Sequence, residues 1–347
     1  MALTTSYPGV YVQEDSSPAI SVNSLATCVP VIAMRSGFST MTRIASFMDY
    51  VDKNGGFDPA YTSDVAIRAY FECGGGACYV INSANVTSEL PNYSDITLIV
   101  SAFQLRSSTI DTLCYPGSGV FGLLDCKEQI TSSTDVSELF SANSCAAVYY
   151  PNLLASWAET PIPAGAVMAG LYCRNDKNRG VWKAPANLQI DSGYTPQYKV
   201  NDDLQGQFNS GLAINMIREQ QGRGVVVWGA RTLEDSDNWR YIPVRRLFDS
   251  AERDIKNAMR TMVFEPNSAP TWEKIRTAIT NYLHNLWQQG ALLGTSEKDA
   301  YFVKIGLGVT MTDDDVAQGR MIATVGMAAV RPAEFIILQF TQNVEQQ

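Results

Sequence analysis

The chain has 347 residues, of which 18% are charged and 46% hydrophobic, and a formal net charge of -9 at pH 7. A chain of this length buries a sizeable core and divides into two or more domains, while the acidic balance excludes nonspecific nucleic-acid binding, which needs clustered Lys and Arg. The longest apolar runs, such as 225–227 and 335–338, are far too short to span a bilayer, and no basic, apolar leader opens the chain, which predicts no Sec-type export. The seven cysteines (Cys28, Cys73, Cys78, Cys114, Cys126, Cys145 and Cys173) form no CxxC pair and lie scattered in apolar segments. That is the pattern of buried free thiols made in a reducing compartment, and His284, the single histidine, leaves no zinc set.

In chain order, residues 1–21 read as an extended arm. Tyr7-Pro8-Gly9 is a turn signal, Val10 and Val12 lie on one side of a short strand with Tyr11 on the other, and Pro18 ends any pairing. With no hairpin partner nearby, its backbone groups must be met elsewhere; by pattern alone this is an edge strand of its own domain. Residues 22–100 give strand, helix, strand: Thr27 to Met34, Ser63 to Glu72 and Cys78 to Ile81. Gly74-Gly75-Gly76 follow a helix and precede a strand, the reverse of a phosphate-binding loop, so they read as a helix C-cap and tight turn.

Residues 101–232 predict an α/β layer. Thr109 to Tyr115 and Cys145 to Tyr150 read as strands ending at Pro116 and Pro151, with a helical stretch around Glu128 to Phe140. Ala166 to Tyr172 predicts a small-residue helix, Cys173 to Gly180 a solvated mixed-charge loop, and Gly222 to Leu233 a buried strand leaving a glycine turn.

Residues 233–330 hold two amphipathic helices joined at Phe264-Glu265-Pro266-Asn267. Val244, Leu247, Phe248, Ala251, Ile255, Ala258, Met259 and Met262 form the first apolar stripe, and the opposite face reads as charged and solvated, with Asp249 and Glu252 four residues before Arg253 and Lys256. The second stripe is Trp272, Ile275, Ile279, Tyr282, Leu283 and Leu286, started by Asn267 or Ser268 and closed by Gly290, with His284 on its polar flank. After Gly294 come a short helix, Ser296 to Tyr301, and a strand, Phe302 to Ile305. Thr312 caps a helix with Asp313, Asp314 and Asp315 at its positive end, in an order that does not make an EF-hand, and Arg320 to Val330 reads as a strand. Residues 331–347 form a second arm whose β-prone Phe335, Ile336, Ile337 and Leu338 need a partner strand.

No GxSxG, Walker lysine or HExxH motif is present, and one histidine leaves few acid-base schemes. The wording of the chain carries more. Tyr7 to Val12, Phe71 to Val80 (with Cys73 where Asn is usual), Gly170-Leu171-Tyr172, Arg179 to Asn187, Gly211 to Arg218, Trp228 to Thr232, Val244 to Phe248, Val263 to Asn267, Leu286 to Leu292, Phe302-Val303-Lys304 and Arg331 to Phe335 occur in order. Together they closely resemble the tail sheath proteins of contractile phage tails and phage-tail-like injection systems.

The resemblance implies a mixed α/β, multi-domain protomer. Residues 101–232 would be an outer α/β domain, 22–100 would pack with the C-terminal domain, and 233–330 would face an inner tube. It implies stacked six-membered rings of this chain around that tube, strand exchange through both arms, and contraction driven by new subunit contacts without a cofactor. Baseplate and terminal cap proteins, and sister sheath proteins, are the further partners; no direct nucleic-acid contact and no membrane insertion is expected. Assembly falls in the bacterial cytoplasm and release as an extracellular particle or virion, the short chain leaning toward an injection system or pyocin-like particle. Charges opposite an apolar stripe make Glu273, Lys274, Arg276, Glu297 and Lys298 candidate tube contacts. The rival readings are a hydrolase with a carboxylate dyad and a non-assembling binding module in which the terminal strands pair within one chain.

Overall fold

The computed structural model describes residues 21–335, residue 138 excepted. Val10, Tyr11, Val12, Ile336, Ile337 and Leu338 therefore lie outside the described residues. Short apolar runs, buried on both faces, build the main sheet, as a helix-covered parallel sheet requires. In chain order these are β1 (Pro30–Met34), β2 (Thr42–Ile44), β3 (Cys78–Asn82), β4 (Leu98–Val100), β5 (Phe121–Asp125) and β6 (Ala146–Tyr150). A small antiparallel pair follows, β7 (Leu153–Ala155) with β8 (Tyr194–Pro196), and β9 (Ile214–Gln220) and β10 (Gly224–Trp228) complete the main sheet.

The eight strands lie in the order β10-β9-β6-β5-β4-β1-β3-β2. The inner ladders are parallel, with Val31 opposite Tyr79 and Val148 opposite Ile214, while β2 and β10 run antiparallel at the edges. Strands from both sides of residue 100 share this sheet. Alternate residues of each strand feed different cores. Ile32 and Met34 join the core under α1 (Phe47–Asn54), α2 (Thr62–Glu72) and α6 (Ala164–Arg179). Val31 and Ala33 join the opposite core, covered by α3 (Val86–Glu89), α4 (Ser107–Leu113), α5 (Thr134–Ser137) and α7 (Asp202–Gly206).

A third core belongs to the C-terminal part, α8 (Ile242–Met259), α9 (Ala269–Gln288), α10 (Glu297–Ala300), β11 (Tyr301–Ile305), α11 (Asp313–Ala317) and β12 (Ala323–Met327). Ile275, Ile279, Leu283 and Leu286 of α9 are buried in it. Each such burial stabilises by about 1.5–3 kcal/mol, several times an exposed i,i+4 ion pair, so the apolar stripe sets the helix's orientation. Gly290 follows α9 at φ 80°, the left-handed value that favours glycine there, and Thr312 with Asp315 forms a capping box on α11.

Three readings are corrected. Thr109 to Tyr115 is not a strand: α4 occupies Ser107–Leu113, because Ile110 and Leu113, three apart, bury one helical side in the sheet. The strands β4 and β5 flank that helix, at Leu98–Val100 and Phe121–Asp125. Cys173 to Gly180 is not a loop either, since α6 runs on to Arg179, its Asn175 donating to Lys183 O and its Asp176 engaged by Arg246. Finally, the first half of the charged face of α8 is buried rather than solvated. Arg245 and Arg246 are 2% and 4% exposed, and Asp249 pairs back to Arg245 at 2.6 Å instead of forward to Arg253. Glu252 and Lys256, further along, are exposed.

Candidate assembly interface

Both chain termini leave the described fold through polar clasps. Residues 25–28, where the N-terminal arm enters the core, run between α6 and α8. Leu25 N donates to Asp254 Oδ1 (3.1 Å), Arg253 Nη2 to Ala26 O (2.8 Å), and Arg246 Nη2 to Thr27 O (3.1 Å). Thr27 Oγ1 donates to Asp176 Oδ2 at 2.7 Å, and Arg246 reaches the same carboxylate at 2.7 and 3.0 Å while its guanidinium lies 4.6 Å from the Tyr172 ring centroid. Burial pushes the Asp254 carboxyl up, against the Tyr282 hydroxyl and Leu25 amide that donate to it. Buried charge of this kind holds only while each partner is present, so the arm root is fixed by α8 as a unit.

The C-terminal root is held by Arg231. Its Nε donates to both Glu334 oxygens at 3.0 and 3.2 Å, its Nη2 to Oε2 at 2.6 Å and its Nη1 to Asn209 O, with Tyr241 Oη 3.4 Å from Glu334 Oε2. A planar guanidinium meeting a carboxylate at several atoms fixes orientation as well as distance. The next residue, Phe335, is exposed. Arg231, Glu334 and Arg246 fall in segments whose wording was legible, whereas Asp176 lies in the stretch read as a loop; neither pairing was legible, because nothing in sequence spacing brings 231 to 334 or 176 to 246.

The C-terminal part also carries a small antiparallel sheet, β11 with β12, its register running from Tyr301 opposite Met327 to Ile305 opposite Ala323. Tyr301 and Ile305 are buried toward α9, while Phe302 and Lys304 face out. Among the described residues neither long edge carries another strand; only Leu292 bridges Ala329 at one end. At the α8–α9 turn, Phe264 is fully exposed at φ 75°.

Of the charged candidates, Glu273 and Lys274 are exposed on α9 and Lys298 on α10. Arg276 is half-buried, tied to Glu273 at 2.9 Å and to Ile305 O at 2.9 Å. Glu297 meets His284 Nδ1 at 3.0 Å, and His284 Nε2 accepts from Gln288 at 2.7 Å, so the partly exposed histidine bridges α9 and α10. The five are thus distributed over the two adjoining helices.

No group of three or more His, Cys, Asp or Glu placed to hold a metal ion occurs among the described residues, and no described helix is long and apolar enough to cross a membrane. Anchored termini, an open-edged sheet and exposed charges are features of a structural subunit that is completed by other chains. The phage tail sheath C-terminal domain family matches residues 234–343. Over its whole length the chain is similar to the sheath of an extracellular contractile injection system, PVC, in the contracted state: 51% identical, TM-score 0.90, all of both chains covered. It is 43% identical to the contracted helical sheath of the anti-feeding prophage (AFP), TM-score 0.81, covering 98% of this chain and 100% of that one. A prophage major tail sheath protein of Pseudomonas aeruginosa (strain UCBPP-PA14) is 24% identical over 184 residues, 51% of this chain and 45% of that protein, so the match spans just under half of that curated relative. The chain belongs to the contractile tail sheath protein family. It is a structural subunit of a contractile sheath.

Proposed function

We propose that the subunit polymerises as stacked six-membered rings around an inner tube and contracts to drive that tube through a target envelope. The observation that carries this reading is the pair β11–β12, a two-stranded ribbon with open edges among the described residues. Such a ribbon is marginal alone and gains from added strands. Val10, Tyr11 and Val12 of one copy, and Phe335, Ile336, Ile337 and Leu338 of another, supply strand-forming sequence for it. Main-chain bonds of an added strand survive rigid-body rotation of the domain, whereas side-chain contacts between rings exchange for larger ones. Contraction is then downhill from a metastable extended state, with no nucleotide at the subunit.

Residues 233–330 face the tube in this scheme, 101–232 face outward, 22–100 belong to the α/β core and pack with the C-terminal domain, and 1–21 and 331–347 are the arms. Glu273, Lys274, Arg276, Glu297 and Lys298 make a slipping, charged contact with the tube protein. Baseplate and terminal cap proteins close the ends, and sister sheath proteins share the particle, which is assembled in the bacterial cytoplasm and released outside the cell. Support for a structural over a catalytic role comes from the buried carboxylates, since Asp176, Asp249 and Asp254 are each engaged by Arg or Tyr.

Negative-stain electron microscopy of the protein coexpressed with the neighbouring tube gene tests the proposal. Hollow striated cylinders are expected, and uniform small particles with tube and baseplate both supplied would sink it. Deleting residues 1–16 is expected to leave a folded monomer that builds no sheath, because the core keeps its own sheet and loses only the exchanged strand.

A further inference from the structure

Cys28 and Cys173 stand with their sulfurs 2.8 Å apart, where the N-terminal root meets α6. Both are half-buried, unlike the other five thiols, which are buried. The two positions differ chemically. Cys173 is held down to about 7 by a hydrogen bond from Cys28, with the Tyr70 hydroxyl at 3.5 Å and the Gly76 amide adding to it, whereas burial pushes Cys28 well above the ordinary thiol range. One thiol is therefore poised as thiolate and its neighbour as the resolving group. Cys28 lies one residue beyond the Thr27, Asp176 and Arg246 clasp, and Cys173 three residues before Asp176 on the same helical side.

We propose that Cys28 and Cys173 are an oxidation site that closes into an intramolecular disulfide on exposure to a small-molecule disulfide such as oxidised glutathione, pinning the N-terminal root to α6. The Cys173 thiolate attacks one oxidant sulfur, the oxidant's S–S bond breaks, and one thiolate leaves. Cys28 then gives up its proton, attacks the Cys173 sulfur of the mixed disulfide and expels the second thiolate. Two protein thiols lose two electrons, the oxidant gains them as two thiols, and no other reagent is needed. The bond adds a covalent link to a non-covalent clasp, so tension on the arm stops at residue 28. The chemistry stands apart from the sheath proposal; only the use of the pin under tension rests on it.

The test treats the full-length protein with oxidised glutathione, alkylates it under denaturing conditions and maps peptides without reduction. A crosslinked Cys28–Cys173 pair two hydrogens lighter than the thiols is expected, with the other five cysteines alkylated, and formation should speed up as pH rises through about 7. In the Cys28→Ser variant Cys173 should stop at the glutathione adduct, while in Cys173→Ser residue 28 should stay free. The oxidised protein should melt several degrees higher than the reduced one, and dithiothreitol should reverse this. Full alkylation of both thiols after oxidation, or separate adducts on each without a crosslink, overturns the proposal; an unchanged melting temperature overturns the pinning.

Discussion

Asp125, at the end of β5, is a buried carboxyl with one oxygen left without a partner. Burial pushes its carboxyl up to about 7 in spite of the amides of Gly165, Phe103 and Ala102 that point at it, and its Oδ2 has no partner. Those amides order the start of α6 and a turn in which Ala102 and Phe103 have φ of 45° and 64°. A folded pKa above the unfolded value means that folding takes up a proton between the two, so stability is full near pH 4 and is lost as pH rises toward about 7. The expected loss is about 2–4 kcal/mol, and in Asp125→Asn this slope should be absent. Urea unfolding at pH 5 and pH 7.5 on both proteins checks it, and parallel pH profiles would contradict the assignment. Phe264 is the opposite case, an exposed aromatic side chain on left-handed backbone. Asn tolerates that backbone, so Phe264→Asn should stabilise the free subunit by roughly 0.5–1 kcal/mol. A lower denaturation midpoint would show that the ring packs within the subunit after all.

At the scale of elements, legibility followed the distance over which each signal acts. The α9 stripe from Ile275 to Leu286 and the strands β1, β3, β6 and β10 were readable because burial there is written in local periodicity. The strands β4 and β5 were not, since three to five apolar residues beside a polar loop have no period to read. Asp249 and Arg253 looked like a wet helix face because four-residue spacing cannot say which side meets another element. The same blindness hid Arg231 and Glu334, 103 residues apart. Their clasp makes a measurable claim: Arg231→Ala and Glu334→Ala should each destabilise sheath assembly, and the double variant should cost much less than their sum. A coupling of about 1–3 kcal/mol is expected for a partly buried, multiply bonded pair. Glu334→Gln retains the acceptor and loses the charge, so it should fall between, read as the subunit concentration at which sheaths form. Additive losses would mean that Arg231 acts through Asn209 alone.

For the molecule as a whole, the proposed scheme requires that copies hold together while sliding over a tube. Three apolar cores fill the described residues, and the buried Arg246–Asp176 pair ties α8 to α6. A broad apolar contact with the tube would resist slipping, whereas exposed ion pairs each contribute only about 0–1 kcal/mol and exchange with water as they break. Lys274 and Lys298 are exposed and free to serve in this way; Arg276 already bonds to Ile305 O, so replacing it also tests the seam between α9 and β11. Reversing Lys274, Arg276 and Lys298 to Glu is expected to leave a folded monomer that fails to load onto tubes in the extended form. The Lys274→Glu, Lys298→Glu pair should give the same loss without touching the seam. Raising salt should weaken loading of the natural protein, since charges about 10 Å apart are screened near 0.1 M, and should partly restore the reversed variants by screening their repulsion. Extended sheaths assembling normally from the triple variant at low salt would place the tube contact on another face, and the open end near Phe264 would be the next surface to probe.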